Sequence, residues 1–331
     1  MTDGLRWQDV FRGIDPALIN KESGASDPDA LKKLYWREDI NERRAALMPF
    51  LWNTVVKNGQ IYGNRDAGSE AWVTNGFNFS YPGYNETLTG APDPRVNSND
   101  KIPNKNVTVL EWLNDKAAFK GKVAAFGAWD VISAITNGER GGFPANAGHD
   151  PFQMTPANPK IDLYNRLKVE TSIWGSEPFD AFPFYTALEY MKAKKPRVLY
   201  ISLGETDEWA HDGKYDLYLK AAHRVDDYLR ILWETVQSTP GYKDHTTLIF
   251  TPDHGRGEAP ENWKHHGEKY PDSKYIWMAF LGPDTPALGE RKNVPAVTQS
   301  QVAATLASLL GEDYNAAVSK AGLAIKDVRK Q

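Results

Sequence analysis

Residues 197–211 read RVLYISLGETDEWAH. The first seven form a compact apolar run with β-branched and aromatic side chains, stopped by Gly204. An acidic segment follows at once and carries Asp207 and His211. Downstream, TTLIFTPDHG (246–255) repeats the plan: a β-rich run, then Asp253 and His254. YIWMAFLG (275–282) and KVAAFG (122–127) are two more such runs. Short, continuously apolar runs fit strands buried on both faces, as in a parallel sheet. In open parallel sheets, ligands bind beyond the carboxyl ends of the strands. Two Asp–His pairs at two such ends therefore point to one site.

Helices are expected between the strands. From Tyr215 to Val236, the residues Leu217, Ala221, Val225, Tyr228, Leu229, Leu232 and Val236 recur at helical spacing. Lys220, Arg224, Asp227 and Arg230 lie off that face. His223 and the Asp226–Asp227 pair read as surface groups. Further helices are predicted over 41–58, 106–118 and 298–310, the last with Thr298 or Ser300 as N-cap. The stretches 63–105 and 137–180 are rich in Gly, Pro and Asn, lack periodicity, and read as long functional loops. The alternation predicts an α/β fold: a doubly wound, mostly parallel sheet with helices on both faces and long loop insertions. No linker divides the chain, so residues 1–331 are expected to form a single domain.

Composition removes several classes of function. The 331 residues are 41% hydrophobic and 25% charged, ordinary for a globular protein and ample for a large core. A net charge of −4 offers no nucleic-acid surface and no polybasic membrane patch. There is no cysteine, so disulfides and cysteine-ligated zinc are excluded. No apolar run approaches the roughly 18 residues of a membrane span. The opening MTDGLRWQDVF lacks the apolar stretch of a signal peptide, which leaves a cytoplasmic protein or a leader outside this chain.

Three of the seven histidines fall within TPDHGRGEAPENWKHHG (251–267). Asp207 and His211 are four apart, so on a helical turn both project to one side. Aspartate oxygens with imidazoles and no thiolate suit zinc or a similar divalent ion, whereas calcium would call for more oxygen donors. A hydroxyl able to attack a substrate stands in NFSYPGYNETLTG (78–90), where Ser80 precedes a Tyr-Pro-Gly turn.

Together these segments resemble the alkaline phosphatase superfamily, above all its nucleotide pyrophosphatase/phosphodiesterase-like (type I phosphodiesterase) branch. The resemblance rests on Asp-x-x-x-His after one strand, Asp-His-Gly after a later one, and a downstream His-Gly. Ser80-Tyr81-Pro82 running on to Thr89-Gly90 and Asp3-Gly4-Leu5-Arg6 at the start complete it. It spans residues 3 to 267. It implies an alkaline phosphatase-like fold and two divalent metal ions, zinc. Asp207, His211 and His266 would hold one. Asp3, Asp253 and His254 would hold the other, with the oxygen of the nucleophile Ser80 beside it. His265 is the alternative to His266, which precedes glycine as the family histidine does. Asn99 would hydrogen-bond a phosphoryl oxygen, with Asn97 as its alternative. The implied enzyme is periplasmic or secreted. It hydrolyses small-molecule phosphoric esters, either phosphodiesters and nucleotide-like esters or phosphomonoesters, through a phosphoseryl intermediate.

The chain also departs from that pattern. The branch carries its first aspartate at the end of a buried strand, whereas only Met1 and Thr2 precede Asp3. The sequence therefore predicts a missing first strand, a chain start downstream of the native one, and a weak, poorly ordered site at Asp3. Arg256, Lys264 and Arg140 are candidate cations for the extra charge of a monoester. Trp129, Phe143, Trp209 and Trp263 are candidates for the apolar slot of a diesterase. Tyr84 stands where a formylglycine sulfatase needs arginine. A sulfate or phosphonate ester hydrolase on the same scaffold, and a non-catalytic metal-binding member, are the competing readings.

Overall fold

The computed structural model describes residues 1–330. Its strands are, in chain order, β1 (Gln60–Tyr62), β2 (Ala71–Trp72), β3 (Val123–Gly127), β4 (Ala145–Ala147), β5 (Val198–Ser202), β6 (Leu248–Phe250), β7 (Met278–Leu281), β8 (Gly289–Glu290) and β9 (Val297–Thr298). One sheet has the order β4-β3-β5, all parallel, with Ala125 opposite both Tyr200 and Ala145. A second has the order β6-β7-β1-β8, and β2 pairs with β9 alone. Thr2 links the two larger sheets through parallel bridges to Leu203, just past β5, and Pro252, just past β6.

Strand β3 shows why the core forms where it does. All five of its residues are buried. Ala124 and Phe126 pack with Ala187 and Tyr190 of the helix Ala181–Lys194. Val123 and Ala125 turn the other way, toward Leu110, Leu88 and Ala303 on three further helices. Alternation along the strand thus demands helices on both faces. Burying the Phe126 ring alone contributes about 2–3 kcal/mol.

Several expectations need correction. The run at 275–282 forms β7, which is antiparallel to both β6 and β1. The segment joining β6 to β7 holds only a short 3-10 turn, Pro271–Lys274, so no helical crossover returns the chain in the parallel sense. The loop expected over 63–105 contains the helix Ser80–Thr89, every residue of which is buried. The loop expected over 137–180 contains the helix Pro159–Glu170, capped by Asn158. The helix expected over 41–58 is two pieces, Ile40–Leu47 and a π-helical turn Leu51–Val56. Asp226 is buried rather than exposed, and its carboxylate accepts the N–H groups of Phe50 and Leu51, both at 2.7 Å. Of the two N-cap candidates near 298, Thr298 forms a capping box with Gln301.

The segment ahead of Asp3 matters most for the site. Thr2 alone pairs with both neighbouring strands, and the Met1 amino group donates to Ile201 O at 2.5 Å. Beyond Met1, the side chains of Leu199, Ile201, Leu248 and Ile249 line a cavity of about 340 Å³ and a second of about 80 Å³. These four are half-buried for that reason, although the run pattern predicted full burial on both faces. Among the described residues, no helix is long and apolar enough to cross a membrane.

Candidate metal centre

Four segments meet at the carboxyl ends of β5 and β6. Asp3 enters directly after Thr2. Its N–H donates to Leu203 O at 2.8 Å, and its own carbonyl accepts the Thr206 hydroxyl at 2.5 Å. Asp3 is only 4% exposed, so the weak seating expected from the short N-terminus is not what the fold shows. The pairing of Thr2 and the hydroxyls of Thr206 and Tyr84 hold it. Asp207 and His211 lie on the helix Glu205–His211, which starts three residues after the end of β5. Asp253 and His254 follow β6, and the loop that begins there returns His266.

The structure brings the six together as two groups, Asp3–Asp253–His254 and Asp207–His211–His266. In the first, every residue is buried and each aspartate has one oxygen fixed by the protein. Asp3 Oδ2 accepts the Tyr84 hydroxyl at 3.0 Å, and Asp253 Oδ1 accepts Gly4 N–H at 3.0 Å. Asp3 Oδ1 and Asp253 Oδ2 are buried without any partner. They lie 3.2 and 3.4 Å from His254 Nε2. Nδ1 of the same imidazole faces Gly255 O at 2.8 Å. A carbonyl only accepts, so the proton sits on Nδ1 and the Nε2 lone pair is turned to the aspartates. Ser80 Oγ lies 3.3 Å from that Nε2.

These spacings fit a metal ion. Ligands about 2.0–2.1 Å from a tetrahedral zinc stand roughly 3.3 Å from one another. Buried polar atoms are otherwise paired, and two orphaned carboxylate oxygens facing one imidazole lone pair ask for a cation. Burial, together with the charge of Asp207, pushes the Asp3 carboxyl well above the usual carboxylate range. Burial and Asp3 do the same to Asp253.

The second group is more open. His211 Nε2 lies 3.1 Å from Asp207 Oδ2 and 2.9 Å from His266 Nε2. The His211 side chain is 43% exposed, against 0% for His254. His266 stacks on His254 with ring centroids 3.9 Å apart. Burial, then His254, lowers the His266 pKa well below the ordinary value, which leaves it neutral and able to donate a lone pair. Burial would raise the Asp207 carboxyl, but the guanidinium of Arg256, with His211, outweighs it and holds the group well below the usual range. His265, the alternative ligand, stacks instead on Tyr270 at 5.2 Å.

Ser80 is the first residue of the helix Ser80–Thr89 and is 5% exposed. A helix N-terminus favours negative charge on that oxygen. Asn99 Oδ1 accepts the next N–H, that of Tyr81, at 3.0 Å, which ties Asn99 to the same helix end. The helix lies close against Asp253, because Gly83 has no Cβ; one placed there would stand 2.3 Å from Asp253 O. Gln299 donates to Asp253 O at 2.9 Å and fixes that carbonyl from the other side.

Sequence reasoning missed Tyr84 and Gly4 as supports, although Tyr84 stands four residues after Ser80 and so shares its helix face. Of the candidate cations, Arg140 pairs with Glu111 at 2.7 Å and Arg256 with Asp207. Of the candidate slot aromatics, Trp263 and Phe143 are buried in the core. Trp209 is partly buried and meets Trp174 edge-on at 4.7 Å, and Trp129 tilts against Tyr84 at 6.4 Å.

The sequence pattern described as type I phosphodiesterase / nucleotide pyrophosphatase matches residues 20–322. No curated protein sequence matches the chain. Several crystal structures share its fold. A variant of the alkaline phosphatase PafA with four substitutions is 12% identical at a TM-score of 0.62, covering 100% of this chain and 98% of that one. The lipoteichoic acid synthase LtaP from Listeria monocytogenes is 14% identical at a TM-score of 0.57, covering 82% of this chain and 67% of that one. A 2-O GAG sulfatase is 15% identical at a TM-score of 0.51, covering 84% and 68%. Likeness at this level of identity concerns the fold.

Proposed function

Since the chain belongs to the type I phosphodiesterase / nucleotide pyrophosphatase family of the alkaline phosphatase superfamily, we propose that it hydrolyses phosphoric diesters, with Ser80 as nucleophile and two zinc ions as cofactors. The observation that carries this reading is the convergence of Asp3 Oδ1, Asp253 Oδ2, His254 Nε2 and Ser80 Oγ at spacings of 3.2 to 3.4 Å. Asp3, Asp253 and His254 would hold one ion, and Asp207, His211 and His266 the other. Bound there, divalent ions supply positive charge that lowers the pKa of a nearby hydroxyl and offsets charge on phosphoryl oxygens.

The chain's own groups carry the rest. Ser80 loses its proton to solvent, and its oxygen attacks phosphorus opposite the leaving oxygen. The Ser80–phosphorus bond forms as the bond to the leaving alcohol breaks, and that alcohol departs with a proton from water. The amide N–H group of Asn99 donates to a non-bridging oxygen, as does the helix N-terminus. Water then cleaves the phosphoseryl ester and regenerates Ser80. A diester is favoured because a monoester needs a further cation. Two of the three candidate cations, Arg140 and Arg256, are already committed to Glu111 and Asp207. The Trp174–Trp209 pair beside the helix of Asp207 offers an apolar shelf for the second ester group. Action outside the cytoplasm, as the family resemblance implies, is part of this proposal.

The test is hydrolysis of bis(4-nitrophenyl) phosphate, 4-nitrophenyl phosphate and 4-nitrophenyl sulfate by zinc-loaded protein. The diester should be the best of the three, and Ser80→Ala should lose about a thousandfold or more with zinc content unchanged. Equal inertness of wild type and Ser80→Ala would sink the enzyme reading. Preference for the sulfate would replace the substrate class.

A further inference from the structure

The guanidinium of Arg256 is walled into the centre. Arg256 is 1% exposed. Its Nε donates to Gly4 O at 3.0 Å, its Nη1 to Lys264 O at 3.0 Å, and its Nη2 to Asp207 O at 3.2 Å. The same Nη2 makes a close charge-assisted bond to Asp207 Oδ1. All of these donors are spent on protein oxygens. The berth exists because residue 4 is glycine: a Cβ there would stand 2.7 Å from Arg256 Nη2 and 2.8 Å from Asp207 Oδ1.

This placement divides the two ligand sets. Asp3 and Asp253 bring two carboxylates to one buried imidazole, and each keeps a free oxygen for an ion. Asp207 is the lone carboxylate of the other set, and Arg256 already holds its Oδ1. Only Oδ2, the oxygen 3.1 Å from His211 Nε2, is left uncontested. A fixed positive charge held against that carboxylate also repels any cation bound to it, with little water between to screen it. We infer that Arg256 makes the two metal sites unequal. The Asp3–Asp253–His254 set fills first, and Arg256 weakens the Asp207–His211–His266 set so that it fills second and exchanges its ion readily. Arg256 is thus a positioning residue that acts through Asp207.

This inference rests on the two-metal reading, and a zinc titration separates the two. Metal-free protein competes with a chromogenic chelator for zinc, and wild type should show two steps at least about tenfold apart. Asp253→Asn should remove the stronger step and Asp207→Asn the weaker. Arg256→Gln keeps a donor for Asp207 but removes the charge. It should strengthen the weaker step at least about tenfold and leave the stronger within about threefold. Arg256→Lys, which keeps the charge, should leave the weaker step near wild type. If Arg256→Gln does not fold, Arg256→Lys beside wild type in rising salt still reads the charge: neither should alter the weaker step, because the pair is buried. The inference is overturned if Arg256→Gln leaves the weaker step unchanged or weakens it, if Arg256→Lys shifts it, or if the stronger step belongs to Asp207. A wild type that takes up no zinc defeats the two-metal reading, and this inference with it.

Discussion

The Tyr84 hydroxyl joins two things that the centre needs together. It donates to Asp3 Oδ2 at 3.0 Å and accepts the Ser202 hydroxyl at 2.9 Å, so the last residue of β5 is coupled to Asp3 through the helix Ser80–Thr89. Removing it frees Asp3 to rotate its orphaned oxygen away from His254. Tyr84→Phe is therefore expected to weaken zinc at the Asp3 set by about tenfold, the usual cost of losing an outer hydrogen bond to a ligand. The fold itself should lose only about 1 kcal/mol. Chelator competition and urea unfolding on the same protein check both, and unchanged zinc affinity would show that Asp3 is held by its backbone alone. Gly4 is less tolerant. Its φ is +55°, and its Cβ position is taken by Arg256 and Asp207. Gly4→Ala should destabilise by about 2 kcal/mol or more, because the left-handed backbone alone costs roughly 1–2 kcal/mol before any contact. A urea midpoint equal to wild type would mean that the guanidinium can move aside.

At the scale of elements, amphipathic segments were legible in the sequence and uniformly buried ones were not. The helix Tyr215–Ser238 was readable because one face is apolar and the other charged. The helix Ser80–Thr89 was not, because core and site enclose it on every side and its small polar residues follow no period. Asp226 was misread for a related reason. Helical spacing placed it beside surface charges, but its partners, the free N–H groups of Phe50 and Leu51, lie some 175 residues away in sequence. That carboxylate gives a test. Burial pushes its pKa up to about 6, although the two N–H bonds and His223 pull it down. A raised carboxyl pKa means that the folded state binds the proton more tightly than the unfolded chain, near 4. The contribution is complete below about pH 4 and is lost as the pH rises through about 6, amounting to roughly 3 kcal/mol. Asp226→Asn cannot ionise and lacks that slope. Its stability relative to wild type should grow between pH 4 and pH 7 by up to about 3 kcal/mol in urea unfolding. A difference that stays flat across this range would show that Asp226 is ionised in the fold without penalty.

Across the whole molecule, the site was more legible than the sheet around it. Chemistry-bearing residues sit at strand ends, where Asp207, His211, Asp253 and His254 can be found from local runs. Sheet order depends on pairings between distant segments that no local run encodes. The seat of Asp3 is the clearest case: it rests on Leu203, Thr206 and Tyr84, none of them a sequence neighbour. On the proposed two-metal reading, an ion held by Asp3, Asp253 and His254 would cross-link the chain start and the turn after β6. Metal removal should therefore reach well beyond the site. An ion that binds only the folded state stabilises it by about 2.7 kcal/mol at a hundred times its Kd. For a chain of this size that is a Tm gain of roughly 4 °C. The gain should also depend on pH. Burial pushes the Asp3 and Asp253 carboxyls well above their usual range, so protons compete with an incoming ion for them. Lowering the pH strengthens the proton's hold and weakens the ion's. The zinc-induced rise in Tm should thus be larger at about pH 8 than at about pH 6, vanish with chelator, and shrink sharply in Asp3→Asn. Thermal scans at the two values decide it, and a rise that is equal at both, or larger at the lower pH, would mean that these carboxyls are already ionised in the metal-free fold.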